Sequence, residues 1–550
     1  MKKQSQKFGY ESILLVGVLF VVIVSVRAQD TPPTEGTPTV RQEAQLVELR
    51  QAYVGFIRIQ EIDAEIFIGS EEVPMIFYHN GAYLYADSAH FFREYNIFEA
   101  FGNVRMNQGD TLFVYAAYLH YDGNTGLARL RENVRLEDPT ATLFTDSLNF
   151  DRIANLGYFF EGGMLVDEEN VLTSYWGQYD VNTNQALFRD VVRLVNENFT
   201  IYADTLKYNT ATTIADIVGP SRIVSEDGII YTSRGWYNTD TEDSKLLDRS
   251  RVYSNDRQRV LTGDTIFYNR LTGIGEVFGN MQLEDRERRA ILRGNYGFYN
   301  EFTEFGFAAD MAYIVDFSQG DSLFIGADSL FMITIDSIHR DFKAYYNVRI
   351  FRSDFQSIAD SMHYSAADST IFLRGRPVIW NENSQILGNE INILLNDSTV
   401  ERAYVRHNSL MIQDRQEDDQ FNQLSGRDIT AFFRDGEIYH LLVAGSAESI
   451  YYVTEDDGFV IGLNRMQSPY MTADIENQEI WKLRWFGGES RGTTTPLPQL
   501  TPDGHRLSGF VWLYYLRPLH SRDIFRQSER RIEDDIELPE IFVREEETLN

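Results

Sequence analysis

Apolar and polar residues alternate in short runs along most of the chain, as in Val134-Arg135-Leu136, Leu148-Asn149-Phe150 and Leu206-Lys207-Tyr208. A period of two with one apolar side is the pattern of a half-buried β-strand. Between the runs stand stretches such as Asp122-Gly123-Asn124-Thr125-Gly126 and Asn269-Arg270-Leu271-Thr272-Gly273. Their Asn, Asp and Gly residues accept the positive φ of a tight reversal, so each unit reads as a hairpin-like pair of strands. Tyr121, Phe150, Tyr179, Tyr208 and Tyr237 lie 29 residues apart, and Tyr268 and Tyr299 continue the series at 31. A fixed period over so many units means that one small unit is stacked repeatedly, each copy burying its apolar face against its neighbours.

Two signatures recur within the period. One is a small residue followed by Asp and Ser or Thr: Ala86-Asp87-Ser88, Thr145-Asp146-Ser147, Ala203-Asp204-Thr205, Gly263-Asp264-Thr265, Ala327-Asp328-Ser329 and Ala359-Asp360-Ser361. The other is Gly102-Asn103-Val104-Arg105-Met106, echoed by Glu132-Asn133-Val134-Arg135-Leu136, Gly279-Asn280-Met281-Gln282-Leu283 and Asn347-Val348-Arg349-Ile350. The repeated Asp has the parity of the apolar residues, and six unpaired carboxylates in a core would be untenable. It is therefore expected at a bulge or corner where the facing switches. The predicted fold is all-β, an elongated, solenoid-like stack of antiparallel strands with about 30 residues per unit. Its apolar side must close either as a sandwich filled by side chains or as a V-shaped trough that leaves its lining to a ligand.

The rest of the chain brackets this array. Residues 1–28 carry Lys2, Lys3 and Lys7, an apolar run of 14 residues from Ile13 to Val26, and Ala28 as a cleavage point. That order reads as a signal peptide, with an uncleaved inner-membrane anchor as the alternative, although a spanning helix needs about 20 apolar residues. Residues 29–55 read as a leader, 56–485 as the repeats, 486–505 as a Pro- and Thr-rich linker, and 506–550 as an aromatic segment with a charged tail. There is no cysteine, hence no disulfide and no thiolate metal site. The formal charge of −32 becomes −35 once a signal peptide with four basic residues and one acid is removed (−32 − 4 + 1), and such a chain repels nucleic acid.

Catalytic chemistry is not written in the chain. The nine histidines form no close pair, acidic clusters such as Glu455-Asp456-Asp457 lack the spacing of a calcium loop, and no nucleophile elbow or phosphate loop occurs. Asp residues that recur once per unit are structural rather than catalytic. No catalytic residue, metal ligand or cofactor is assigned.

The two signatures in register, with Leu-x-Tyr/Phe-Asp/Asn between them, resemble the OstA-like family of periplasmic lipopolysaccharide-transport bridges over about residues 60–480. The resemblance implies a twisted V-shaped β-jellyroll whose interior shelters the acyl chains of lipopolysaccharide without making or breaking a bond. It also implies a periplasmic location, end-to-end association with other OstA-like transport proteins through terminal edge strands, and an outer-membrane translocon as a further partner. Two consecutive OstA-like domains, at about 56–210 and 211–485, are one way to divide the array. The expected lining is Val104, Leu119, Tyr121, Val134, Leu136, Leu148, Phe150, Leu206, Tyr208, Ile266, Tyr268, Met281 and Leu283. Competing expectations are a structural or adhesive β-rod filled by its own side chains and, more remotely, a carbohydrate-active β-solenoid enzyme.

Overall fold

The computed structural model describes residues 46–526, apart from 54–63, 71, 319, 337–338, 397–398, 418, 456–458 and 478. The expected signal peptide and most of the leader lie outside the described residues. Among the described residues, the alternating runs form thirty-nine strands in one antiparallel sheet. The described residues include no α-helix, only short 3-10 turns.

Long strands such as Ile97–Gln108, Leu112–Asp122 and Leu127–Glu137 cross the whole width of a unit. Their pairing slips once, at mid-strand: between Phe101 and Val104, between Arg131 and Val134, and again between Phe278 and Met281. The first half of Ile97–Gln108 pairs with Ser88–Phe92 and its second half with Ala82–Ala86. One sheet is thus bent into two walls that share their strands.

The two signatures are the two sides of that corner. The skipped residues take left-handed backbone, with φ of 71° and 43° at Gly102 and Asn103 and 74° and 47° at Gly279 and Asn280. Asn103, Asn280 and Asn347 then donate from Nδ2 to the carboxylates of Asp87, Asp264 and Asp328 at 2.9, 2.6 and 2.9 Å. Five of the six repeated Asp residues are exposed and Asp264 is half-buried, as a corner position requires. Glycine is needed at residue 279 twice over, for its φ and because a Cβ there would stand 2.8 Å from Asp264 Oδ2.

The 29-residue period has a packing cause. Along the inner side of the first wall each ring faces a small residue on the next strand: Tyr121 opposite Ala128, Phe150 opposite Gly157, Tyr179 opposite Ala186, Tyr208 opposite Ala215. The ring lies across the space the small residue leaves, so the pattern repeats every second strand. The second wall answers with aliphatic pairs, Leu136 with Leu143, Leu165 with Leu172 and Leu194 with Ile201. From Val47 to Tyr237 the two walls enclose one continuous core.

Several sequence readings shift at the ends. Glu48–Gln51, inside the expected leader, is already a strand paired with Met75–His79. Arg491–Pro496, inside the expected linker, pairs with Val460–Glu476. Ladders run without a break across residue 210. Among the described residues, the aromatic segment after Pro496 adds no strand. It forms a strap that doubles back over the outward face of the second wall: Met411 points into the main core, while Leu410 and Ile412 on the same strand pack with Leu507 of the strap.

Candidate functional site

The space between the walls is the candidate site, and it has two regimes. Of the thirteen expected lining residues, eleven are buried on the inner side. Tyr268 and Leu283 are half-buried. All thirteen face the interior, and Phe150, Leu148 and Leu206 are sealed to 0 % exposure. Over the first half of the array the interior is filled by its own side chains, as in the sandwich alternative.

Hydrogen bonds across the mouth of the V hold that half shut. The Tyr121 hydroxyl, on the first wall, meets His79 Nδ1 at 2.7 Å and accepts from Arg152 Nη1 at 2.6 Å, while Arg152 Nη2 reaches the Asn80 carbonyl at 3.2 Å in a hairpin of the second wall. Tyr179 donates to Asp138, and Thr140 and Thr210 close the same contact at 2.7 Å. Tyr208 donates to Asp167 Oδ2 at 2.5 Å and accepts from Asn170 Nδ2 at 3.0 Å. Each latch joins a strand end of one wall to a turn of the other. Phe150, which lacks a hydroxyl, is bypassed by Gln108, whose amide donates to Asn155 at 2.8 Å.

Burial first, and then the neighbouring Asp, push the Tyr179 and Tyr208 hydroxyls well above the ordinary tyrosine range. Burial also raises Tyr121, and it pushes Tyr237 well up. The folded state therefore holds these protons at a pH where the unfolded chain, with tyrosine near 10, has released them. Their contribution is complete below about pH 10 and is lost as the pH climbs through the raised folded values. Melting temperature measured from pH 8 to 12 is expected to hold level and then fall above about pH 10, with a shallower fall in the Tyr179→Phe/Tyr208→Phe double variant.

The last latch is at Tyr268, where Arg270 Nη1 in a first-wall turn donates to Asp227 Oδ2 in a second-wall turn at 3.2 Å and lies 3.4 Å from the Tyr268 hydroxyl; beyond it the latches stop. The Tyr268 hydroxyl donates to Glu301 at 2.7 Å, and Glu304 pairs with Arg340 at 3.0 Å, all within the first wall. Among the described residues, no hydrogen bond joins the turns at 255–258, 286–289 or 317–322 of the second wall to the first wall. The inner line of the second wall nevertheless continues through Leu261, Leu283, Leu292 and Ile314, all half-buried. Tyr299, next in the aromatic series, is 40 % exposed. Here the apolar lining is present and the mouth is not closed over it.

The latch residues escaped the sequence reading, although a signal existed. Asp138 and Asp167 stand 41 residues before their tyrosines. Asp138 and Asp167, like Thr210 and Thr239, are separated by the same 29 residues as the aromatics. The spacing marks them as one contact made twice.

Residues 47–204 and 192–257 match the family described as OstA-like protein. No curated protein matches the chain. Among solved structures, LptH, the LptA-homologous periplasmic component of the lipopolysaccharide transport device of Pseudomonas aeruginosa, aligns at 18% identity over 18% of this chain and 76% of its own, with a TM-score of 0.17. Among the described residues, no helix is long and apolar enough to cross a membrane. Over residues 47–257 the chain is thus similar to the OstA-like family.

Proposed function

We propose that this is a non-catalytic periplasmic carrier that shelters the acyl chains of lipopolysaccharide between its walls, and that the chains lie in the unlatched stretch of about residues 250–350 rather than along the whole array. The observation that carries the reading is the half-buried aliphatic line Leu261, Leu283, Leu292 and Ile314 under an unlatched mouth. Each methylene left in water costs about 0.8 kcal/mol, so acyl chains need such a lining to cross an aqueous compartment. The thirteen inward residues then divide: Ile266, Tyr268, Met281 and Leu283 border the lipid, and those from Val104 to Tyr208 form the packed shaft that supports it. The shaft is where the structural-rod reading finds its own support, in side chains sealed to 0 % exposure.

Association end to end fits the same reading. Glu48–Gln51 at one end pairs with Met75–His79, and Glu479–Phe486 at the other pairs with Val460–Glu476, each with a second edge open among the described strands. A translocon at the outer membrane would be met through one of these ends.

Site-specific photocrosslinking in cells tests the proposal. Probes at Leu283 and Leu292 are expected to capture lipopolysaccharide, whereas probes at the sealed Phe150 and the outward Lys207 are not. Adducts at none of the four positions in a folded, exported protein would leave the array a structural rod.

A further inference from the structure

The turns of the second wall at the mouth change sign where the latches end. Residues 138–141, 167–170, 196–199 and 225–228 carry seven acids and no base. Residues 255–259 and 285–289 carry five arginines against three acids, in a chain of formal charge −32. The next turn, 317–322, returns to a single acid and no base. The change falls on the latch position itself. Asp138 and Asp167 stand 41 residues before the tyrosines they hold, and Asp227 stands 41 before Tyr268 (268 − 227). The same step back from Tyr299 ends at Gln258 (299 − 41), between Arg257 and Arg259. Where earlier units place an acid to meet the first wall, this one places two cations.

The two basic turns are neighbours. Arg259 pairs with Asp285 across the ladder, and the Arg286 amide donates to the Gln258 carbonyl at 2.8 Å. Arg259 keeps the facing of Leu261, two residues further in, which puts it on the inner side at the rim, about 7 Å along the strand from the aliphatic line. Its charge acts on Tyr299 and Glu304 of the first wall, so it stands over the mouth. Most acids nearby are already bonded. Asp256 accepts from the Ser254 hydroxyl at 2.5 Å and the Gln258 amide at 2.9 Å, and Asp285 from the Arg288 amide at 2.9 Å. Glu284 takes Arg286 and Glu304 takes Arg340, each at 3.0 Å. Glu287, exposed beside Arg288, makes no such bond among the described residues. Arg289 lies over the Phe317 ring at 5.7 Å. Among the described residues, Arg257, Arg259 and Arg288 make no ion pair and no ring contact, and all three are exposed.

We propose that Arg257, Arg259 and Arg288 bind a phosphoryl group on the head of the lipid whose chains lie along Leu261, Leu283 and Leu292. This deepens the carrier reading above and rests on it. Guanidinium groups offer paired N–H donors that match phosphate oxygens, and they are weakly hydrated, so they exchange water for such a ligand readily. An amphipathic ligand needs both its ends satisfied within its own length, and here the cations stand two residues above the apolar line. The charge also selects the place. A chain of formal charge −32 repels anions over most of its surface, and an anionic head approaches where the local sign is reversed. The acidic turns that latch the shaft would repel the same head group, so chains and head are directed to one stretch.

Purified full-length protein with a photoprobe at Leu292 tests this, with lipopolysaccharide offered intact or stripped of phosphate by hydrofluoric acid. The Arg257→Gln/Arg259→Gln/Arg288→Gln variant is expected to capture the intact lipid about tenfold less than the parent, and the stripped lipid equally well. A charge-matched control, Arg193→Gln/Arg222→Gln/Arg251→Gln at exposed outward positions of the second wall, should leave both captures unchanged. A matching loss in the control would trace the effect to net charge, and a loss extending to the stripped lipid would trace it to the fold; either overturns the site. Equal capture of the intact lipid by parent and mouth variant overturns the site and leaves the acyl-chain reading standing, whereas no capture at Leu292 by the parent overturns that reading and the site with it. Inorganic phosphate, titrated alone by calorimetry, separates the two sources of the anion. If the parent binds it, the mouth variant does not, and lipid capture is the same in both, the arginines serve a free anion and the head-group assignment is overturned.

Discussion

Phe188→Ala, in the sealed half, is expected to lower stability by about 3–5 kcal/mol, whereas Leu292→Ala in the unlatched half costs about 1 kcal/mol or less in the absence of lipid. Phe188 is fully buried, stacks edge-on against Phe159 at 5.6 Å and faces Leu206 across the ladder. Removing its ring opens a cavity whose walls are fixed by two ladders and by the Tyr179 and Tyr208 latches, so relaxation recovers little. Leu292 is half-buried between Leu283 and Ile314, and its truncation removes contacts on one side only, with solvent free to enter. Denaturant unfolding of the two variants measures the difference. Equal losses would mean that the second half is as tightly packed as the first and would remove the basis for placing a ligand there. The converse is expected in lipid capture: Leu292→Ala weakens it and Phe188→Ala, at a temperature where the shaft stays folded, leaves it intact.

The contrast between the halves also explains what could be read from the chain and what could not. Alternation placed Tyr121, Phe150 and Tyr208 on one inner line, and the aromatic period tied Tyr179 to the same series, because ring-against-small packing repeats wherever two strands do. The Asp and Asn signatures revealed the corner because the two residues bond each other directly. Other corners carry no such mark. Asp190 and Val191 take φ of 61° and 58° with neither Gly nor Asn, and Val191 is 85 % exposed; pairing on both sides imposes the bend there. The open stretch was equally hidden. Tyr299 looks like the tyrosines before it, and what changes is the partner available across the mouth, which for Tyr179 and Tyr208 comes from turns 41 residues away and for Tyr268 only through Arg270 and Asp227. The strap was hidden because its anchors are single glutamines, a residue type with no patterning of its own.

Those glutamines give the second large effect: a Gln385→Ala/Gln423→Ala variant is expected to release the strap, with loss of about 4–12 kcal/mol of local stability if the sites act independently. Gln385 donates to the Val511 carbonyl at 2.8 Å and accepts from the Leu513 amide at 2.8 Å; Gln423 makes the same pair with His505 and Leu507, again at 2.8 Å each. Each side chain thus stands in for a strand, satisfying one donor and one acceptor of a backbone that has no ladder of its own. Both amides are fully buried, so truncation strands two strap groups at each site at about 1–3 kcal/mol apiece. Gln385 also holds the indole of Trp380, which is itself fully buried. Limited proteolysis is the measurement: the native chain should resist cleavage between Leu497 and Phe525, and the double variant should be cut there while the strands beneath stay protected. Gln385→Glu/Gln423→Glu separates shape from bonding, since a carboxylate can accept from Leu513 and Leu507 and cannot donate to Val511 and His505. It should be cut as readily as the alanine variant at neutral pH, and resistance in either variant would mean that Leu507, Leu513 and Leu516 hold the strap by burial alone.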